Sequence, residues 1–400
     1  MTTTAEQMRA WQGPALLTYG FRPFFLGAGL WAVLAMGLWL PMLSGHLVLP
    51  TVFDPVSWHA HAFLFGYLGA VIAGFLLTAV PNWTGRLPIV GWPLAGLFAL
   101  WLAGRGVVTL SAGLPWPVVA AVDLAFPLAL AGVLAREIVA GRNWRNLMVL
   151  GLLVVFAAGN AVFHREAAMG GFPAQGMGLR IALGAAVMMI AVIGGRVVPS
   201  FTRNWLVRRG VGRLPAPPMQ RFDKAALLVL LGALLLWVVW PEAAVTGAAL
   251  GVAGLVHLLR LARWAGLRTG GEPLVWVLHL GYAFVPLGAL ALGAAVLWPG
   301  VIGLAAAQHL WMAGAIGMMT LAVMTRATLG HAGQALTAGR GTVAIYLLMV
   351  LSVLARVAAG IVPGQAGALH LLAGMGWLGA FGLFALIYGG LHLRPLPARG

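Results

Sequence analysis

The sequence predicts an all-α, polytopic membrane protein with about 12 transmembrane helices. Of its 400 residues, 62% are hydrophobic and 8% are charged, and the mean hydropathy is +0.97. The core of a soluble protein does not bury that much apolar surface. The apolar runs have roughly the 20 residues that a helix needs to cross a bilayer, and they lack the alternating pattern of barrel strands. A helical bundle is therefore expected.

Twelve apolar segments are long enough to span a membrane, and together they predict a single transmembrane domain over residues 1–400. The short polar start and the absence of a convincing cleavage signature predict that the first segment is retained. The segments cover residues 16–43, 58–81, 88–111, 115–136, 146–165, 178–200, 224–241, 243–264, 273–297, 301–325, 341–361 and 367–391.

Positive charges collect in alternate loops, which predicts that both termini face the cytoplasm. The formal net charge is +16, but the basic residues are dispersed between apolar runs and not massed on a polar domain, so no nucleic-acid partner is expected. The loop cations are Arg86; Arg136, Arg142 and Arg145; Arg203, Arg208, Arg209, Arg213, Arg221 and Lys224; Arg260, Arg263 and Arg268; Arg326 and Arg340; and Arg394 and Arg399.

Short similarities between segments suggest three copies of a four-helix unit, over residues 16–136, 146–264 and 273–391. The second segment ends in VPNWT (80–84), the sixth ends in VPSFT (198–202), and the tenth ends in Thr325 and Arg326. Prolines in such helices are expected to kink or end them. These prolines are Pro23, Pro81, Pro199 and Pro286.

The chain contains no cysteine, so a metal or haem must be bound by histidine, methionine, tyrosine or carboxylate. The predicted topology sorts the ten histidines. His59, His61, His164, His309 and His370 fall towards the outer side, His46 in the first outer loop, and His257, His279, His331 and His392 towards the cytoplasmic side.

Two histidines share a sequence context: His61 is followed by Gly66 and Gly69, and His309 by Gly314 and Gly317. Placing an imidazole in a membrane helix costs free energy unless the ring binds a metal, a cofactor or another polar group. We expect the two histidines to converge inside the bundle as axial ligands of a haem or as ligands of copper, with the glycines allowing close approach. The alternative is a histidine at a helix end that bonds a backbone carbonyl or interfacial water.

Residues two apart on a helix point about 200° away from each other, so His59 and His61 are expected to serve different sites. His59 is predicted to join His164, with His370 a further possibility, at a second metal centre. His331 is another candidate metal ligand, and His279 is the stronger cofactor candidate of the two histidines His257 and His279, which are otherwise expected to make polar packing contacts.

Several charged residues lie in the predicted helices. Asp123 and Arg105 lie at depths that favour an ion pair over a proton relay. Three arginines near helix ends are expected either to reach lipid phosphate or to bind an anionic group such as haem propionate: Arg22, Arg196 and Arg326.

The sequence resembles the NnrS family of bacterial membrane proteins over nearly its whole length. The resemblance is carried by residues 19–25 (YGFRPFF), 58–86, 143–146 (NWRN), 193–205, 279–282 (HLGY) and 309–331. It implies a protein of the bacterial inner membrane that contains haem b and copper, or a second iron, and is tied to nitric oxide metabolism, denitrification and nitrosative stress. One departure is Ala62, where the family pattern has Glu after the WHxH motif.

Two functions are consistent with these features. The first is an oxidoreductase similar to nitric oxide reductase, which binds nitric oxide at a haem with a nearby second metal and takes electrons from a quinol or a periplasmic redox protein. The architecture is analogous to that of haem-copper oxidases, although the chain has no consecutive His-His pair and no histidine in the sixth helix. The alternative is a transporter or a carrier of metal or haem, without redox turnover.

Overall fold

The computed structural model describes residues 11–85, 88–210, 212 and 214–395. Over these ranges all regular structure is helical, and 12 helices are long and apolar enough to cross a membrane. The predicted fold class is therefore confirmed. Arg86, Arg213 and Arg399 lie outside the described residues, and the cytoplasmic location of both termini stays a prediction.

The membrane-spanning helices are numbered α1 to α12 in chain order. Two of them, α2 and α10, are continuous helices built from three stretches each. The helices are α1 (Phe21–Leu43), α2 (Pro55–His61, Ala62–Tyr67 and Leu68–Thr84), α3 (Trp92–Thr109), α4 (Trp116–Ala140), α5 (Leu147–Ala168), α6 (Met177–Arg208), α7 (Arg221–Val239), α8 (Ala244–Ala262), α9 (Pro273–Leu297), α10 (Leu304–His309, Leu310–Met318 and Met319–His331), α11 (Arg340–Ala358) and α12 (Ala366–Leu393).

The middle stretches of α2 and α10 are π-helical, and each begins directly after a histidine, His61 or His309. A π-helical turn shifts the backbone hydrogen bonds by one residue and leaves carbonyl groups for other donors. In α2 the indole Nε1 of Trp31 donates to the Ala62 carbonyl at 2.8 Å, and that of Trp101 donates to the Gly66 carbonyl at 2.9 Å. The shared sequence context thus corresponds to a shared local structure.

Local capping explains where α2 begins and ends. Asp54 is its N-cap, and the carboxylate accepts from the backbone N–H of Ser57 at 2.9 Å, so the helix starts three residues before the predicted Trp58. It ends at Gly85, whose φ of +70° is in the left-handed region that favours glycine. Of the two effects expected of proline, ending the helix does not occur in α2 and α6, because both continue past Pro81 and Pro199 to Thr84 and Arg208, and a kink stays a prediction.

The backbone forms two compact units. The first comprises the chain up to Ala182, with Thr328–Gln334 and the chain from Phe381 onward; in it α1 packs on α2, α2 on α4, and α4 on α3 and α5. The second comprises Leu183–Ala327 and Ala335–Ala380; in it α8 packs on α7 and α9, and the π-helical stretch of α10 packs on α9 and α11. The single domain and the three repeats stay predictions.

Candidate metal centre

Two helices of the first unit, α2 and α5, bring polar side chains to Asp123 on α4. Its Oδ2 accepts from Nε2 of His61 on α2 and from Nε2 of His164 on α5, each at 3.0 Å, and from Nδ2 of Asn160 on α5 at 2.7 Å. Asp123, His61 and His164 are 1%, 0% and 4% exposed. One carboxylate oxygen in the membrane interior therefore organises two imidazoles and an amide.

The local sequence explains this convergence. Asn160 and His164 are four residues apart and so lie on one face of α5. Pro127 has no N–H, so the carbonyl of Asp123 four residues earlier lacks its helical donor. His61 is the last residue before the π-helical stretch. The three helices thus present their polar groups at one level of the bundle.

Arg105 on α3 holds the other carboxylate oxygen. One terminal nitrogen of its guanidinium, Nη2, pairs with Asp123 Oδ1, which confirms the predicted ion pair. The arginine is 5% exposed, and its guanidinium carbon lies 5.9 Å from the centre of the Trp31 ring. A Cβ on Gly66 would lie 2.7 Å from Nη1 of Arg105. One of the glycines of the shared sequence context therefore makes room for this guanidinium.

The ligand atoms of His61, Asp123 and His164 lie within 4.8 Å of one another, and this is a group that could hold a metal ion. Bonds of 2.0–2.1 Å to a tetrahedral ion place neighbouring ligand atoms roughly 3.3 Å apart. The two nitrogen–oxygen distances of 3.0 Å are close to that value. Two imidazoles and one carboxylate suit copper, zinc or non-haem iron. The donor set therefore fits a single ion.

Aromatic rings enclose the centre and exclude water from it. The ring of His61 lies 5.5 Å from Phe53, 5.0 Å from Phe65 and 5.6 Å from Phe163, measured between centroids. In such an apolar surrounding, electrostatic interactions are stronger than in water.

A small cavity adjoins Asp123. Its volume is about 10 Å³, which is room for one water-sized molecule. Arg105, Asp123 and Asn160 supply its polar wall, and apolar residues that include Phe65 and Phe156 supply the rest. A haem macrocycle needs a pocket on the order of several hundred cubic ångströms. Because His61 is buried among aromatic rings with its Nε2 bonded to Asp123, the residues around it do not fit a haem.

The structure brings two of the predicted metal ligands together and places a third, His59, in different surroundings. His61 and His164 come together at Asp123, with their ring centroids 5.2 Å apart. His59 instead stacks on Trp39 at 4.2 Å between centroids. His59 and His61 lie in different surroundings, as their spacing of two residues predicts. The pairing of His59, or of His370, with His164 stays a prediction.

The predicted partner of His61 lies in the second unit. Nδ1 of His309 donates to the Ala305 carbonyl at 2.6 Å within its own helix. In the first unit, the His331 ring stacks on Phe21 at 5.1 Å between centroids. In the second unit, Nε2 of His279 lies 2.7 Å from Thr202 Oγ1. The pairing of His61 with His309 stays a prediction, as do the ligand roles of His279 and His331.

The three candidate arginines have protein contacts. Arg22 is 1% exposed and does not extend to lipid phosphate. Its Nη1 donates to the carbonyl of Ala15, which precedes α1, at 2.9 Å, and to the carbonyl of Arg394, which follows α12, at 2.8 Å. Arg326 is half-buried, with its guanidinium carbon 4.1 Å from the centre of the Phe201 ring. Arg196 is half-buried, and its carbonyl accepts from Ser200 Oγ at 2.6 Å.

A second buried polar network lies in the second unit. Arg260 donates from Nε to Asp223 Oδ1 and from Nη1 to the Tyr282 hydroxyl, both at 2.8 Å. Because Nε2 of His257 donates to the Ala226 carbonyl at 3.0 Å, its Nδ1 accepts from the Tyr282 hydroxyl at 2.8 Å. Both ring nitrogens of His257 are thus used by protein groups, in agreement with polar packing.

Sequence reasoning missed Asn160 as a member of the centre and treated Asp123 only as half of an ion pair. An asparagine one helical turn before a histidine, in the otherwise apolar run 146–165, was the available signal.

The fold and the site define a polytopic helical membrane protein with a buried group of two histidines and one aspartate that could hold a metal ion. A profile of the family described as NnrS protein matches residues 15–395, and the chain belongs to this family, which is linked to the nitric oxide response. No curated protein matches the chain, and no solved structure matches it.

Proposed function

We propose that this protein acts on nitric oxide at a metal ion bound by His61, His164 and Asp123. The observation that carries the proposal is the buried convergence of two imidazole nitrogens on one carboxylate oxygen, in a chain of the NnrS family. The Irving–Williams order favours copper at such a donor set, and non-haem iron is the other candidate. Either metal would supply an open coordination position and a change of oxidation state.

The residues of the chain have separate roles in this proposal. Arg105 holds Oδ1 and so orients Asp123 to present Oδ2 to the metal. Asn160 donates to the same Oδ2, and its own Oδ1 lies 3.1 Å from Nε2 of His61, so the amide would support two of the groups that would hold the ion. The aromatic rings around His61 keep water away from the site.

Metal binding requires a change of tautomer at both histidines. With the hydrogen bonds of the structure, each Nε2 carries the proton that it donates to Asp123, because a carboxylate only accepts. An imidazole binds metal through an unprotonated nitrogen, so each ring must carry its proton on Nδ1 when the ion is present. Loading is therefore expected to be slower than at an exposed site, since two buried rings must exchange protons.

We further propose that the protein is a redox enzyme of the bacterial inner membrane. Reduction joins two nitric oxide molecules, with two electrons and two protons, to give nitrous oxide and water. We propose that the electrons come from a quinol or a periplasmic redox protein. A haem b remains part of the proposal, with His309, His279, Arg196 and Arg326 of the second unit as its candidate neighbours. No step is assigned to it, because the surroundings of His61 do not fit it.

Metal analysis and an optical spectrum of the detergent-purified protein test this proposal. We expect about one copper or non-haem iron per chain, lost in His61→Ala and His164→Ala and retained in His46→Ala. His46 is the matched control because its side chain is exposed, with Nδ1 2.9 Å from the Ser44 hydroxyl. Metal that survives both substitutions, or folded wild-type protein that binds none, would show that the group is a structural hydrogen-bond network.

Nitric oxide added anaerobically to the reduced, metal-loaded protein tests the reaction itself. A spectrum that changes with nitric oxide and returns as the gas is consumed over repeated cycles supports turnover. A spectrum that changes once and stays changed supports binding without reduction. A haem spectrum that persists in His61→Ala would place the haem away from His61.

A further inference from the structure

Arg105 has more hydrogen-bond donors than the protein uses. One terminal nitrogen bonds Asp123, but Nε and Nη1 have no hydrogen-bond partner, although the side chain is 5% exposed. Buried polar groups nearly always have partners, and an arginine with two unpartnered nitrogens, which carry three N–H donors, is an exception that calls for an acceptor.

The cavity beside Asp123 is where an acceptor for Arg105 fits. Arg105 lines it together with Asp123 and Asn160, so the cavity lies next to the carboxylate that would bind the metal. Its remaining wall is apolar, with Gly69, Phe126 and Phe156 among the residues. Room for one water-sized molecule admits an anion of one heavy atom, or a small diatomic with slight relaxation of the wall.

The charges of the metal-loaded site also require an anion. Arg105 and Asp123 cancel each other, and the histidines that bind a metal are neutral. Copper(I) therefore leaves one uncompensated positive charge inside the membrane, and a dication leaves two. An uncompensated buried charge is strongly unfavourable, and a small anion beside the metal relieves it.

We propose that this cavity binds a small monoanion, a halide or hydroxide in size, between the free N–H groups of Arg105 and the metal ion. The inference rests on the proposed metal site. It assigns Arg105 a role in binding the anion in addition to orienting Asp123. It also explains why a guanidinium occupies this position, since its planar fork pairs one nitrogen with Asp123 and directs two others elsewhere, whereas a lysine holds all of its donors on one nitrogen.

Fluoride is a suitable probe because its size is close to that of water and its nucleus splits the electron paramagnetic resonance signal of bound copper(II). The protein in lipid nanodiscs is loaded with one equivalent of copper(II) and titrated with fluoride at constant pH. We expect saturable splitting in the wild type. Copper that binds but shows no fluoride splitting would overturn the anion site and leave the metal site standing. No copper binding at all would overturn both.

Two variants test the residues without removing a metal ligand. Arg105→Lys keeps the charge that pairs with Asp123 but replaces the three-nitrogen fork by one ammonium nitrogen, so Nε and Nη1 are lost. Gly69→Ala adds a methyl group to the cavity wall, where the nearest atom, on Phe126, would be at an ordinary 3.8 Å. Gly69→Ala is expected to bind copper in the wild-type amount, and the copper-loaded fraction of both variants is expected to bind fluoride at least about tenfold more weakly.

Arg136→Lys is the matched control, since Arg136 lies on α4 with its side chain 65% exposed and pairs with Glu137. It should bind fluoride like the wild type. Wild-type fluoride affinity in both Arg105→Lys and Gly69→Ala would overturn the proposal, because the anion would then be held by neither the arginine nor the cavity.

Discussion

Arg105 and Asp123 form a buried ion pair in which the guanidinium holds Oδ1 of the carboxylate and leaves Oδ2 for the imidazoles of His61 and His164. The pair therefore does more than neutralise two charges in a membrane. It fixes the rotation of the carboxylate, and with it the oxygen that faces the candidate metal position.

Asp123→Asn should destabilise the protein and abolish metal binding. The amide has nearly the same shape but cannot balance the charge of Arg105, and removing one partner of a buried pair costs about 3–5 kcal/mol. Thermal unfolding in detergent and metal analysis are the measurements. Asp54→Asn is the control, because asparagine caps a helix as well as aspartate does. Equal stability of the two variants would contradict the role given to the ion pair.

Gly66→Ala should destabilise the protein while leaving every polar group in the chain. The new Cβ would lie 2.7 Å from Nη1 of Arg105 and 2.8 Å from Nε1 of Trp31, so the guanidinium must move. Such overpacking costs about 1–3 kcal/mol. Gly106→Ala, on the same helix as Arg105, meets nothing within 4 Å and should be tolerated. The midpoint of thermal unfolding, compared between these two variants, checks the prediction.

Asn160→Ala should weaken metal binding without abolishing it. The substitution removes the donor to Asp123 Oδ2 and the acceptor near His61, and loss of such supporting contacts costs about 10–100-fold in metal affinity. Competition with a chelator of known affinity measures the change. Asn143→Ala removes an amide that donates to the Trp83 carbonyl, away from the centre, and should retain wild-type affinity. A complete loss of metal in Asn160→Ala would instead make the amide an essential ligand.

Tyr282→Phe should lower stability and leave the metal content unchanged. The hydroxyl donates to His257 and accepts from Arg260. Its removal leaves Nδ1 of His257 without this partner, at a cost of about 1–3 kcal/mol, while Nη1 of Arg260 keeps the Ala191 carbonyl at 2.9 Å. Thermal unfolding and metal analysis on one preparation separate the two effects. Tyr19→Phe, in a half-buried ring, is the control. Loss of metal in Tyr282→Phe at unchanged stability would show that this network serves the metal site.

Much of the fold follows from composition and periodicity. Twelve apolar segments of membrane-spanning length were predicted, and 12 such helices are present in the described residues, because burial of backbone polar groups in lipid leaves few alternatives to a helix. Helix ends were less predictable. Pro199 lies inside a helix that continues to Arg208, since a membrane helix tolerates the loss of one hydrogen bond when its neighbours support it.

For the candidate site, the individual residues were predictable from the sequence, but their grouping was not. His61, His164, Asp123 and Arg105 were each recognisable in the sequence, because polar side chains in apolar helices are costly to place there without a purpose. Their grouping was not recognisable. Whether His164 faces His59 or His61 depends on the rotation of α5 about its axis, and one residue of difference turns a side chain by about 100°.

The sequence by itself determined that the chain crosses the membrane many times, that any metal must be bound without cysteine, and which side chains are too polar for lipid. Those properties follow from the free energy of transferring each side chain from water to lipid and from the chemistry of each residue type. Neither depends on the tertiary structure. The tertiary structure alone decided that Asp123 is the common acceptor of His61, His164 and Asn160. That grouping depends on how α2, α4 and α5 pack, and packing is set by the shapes of all their side chains together.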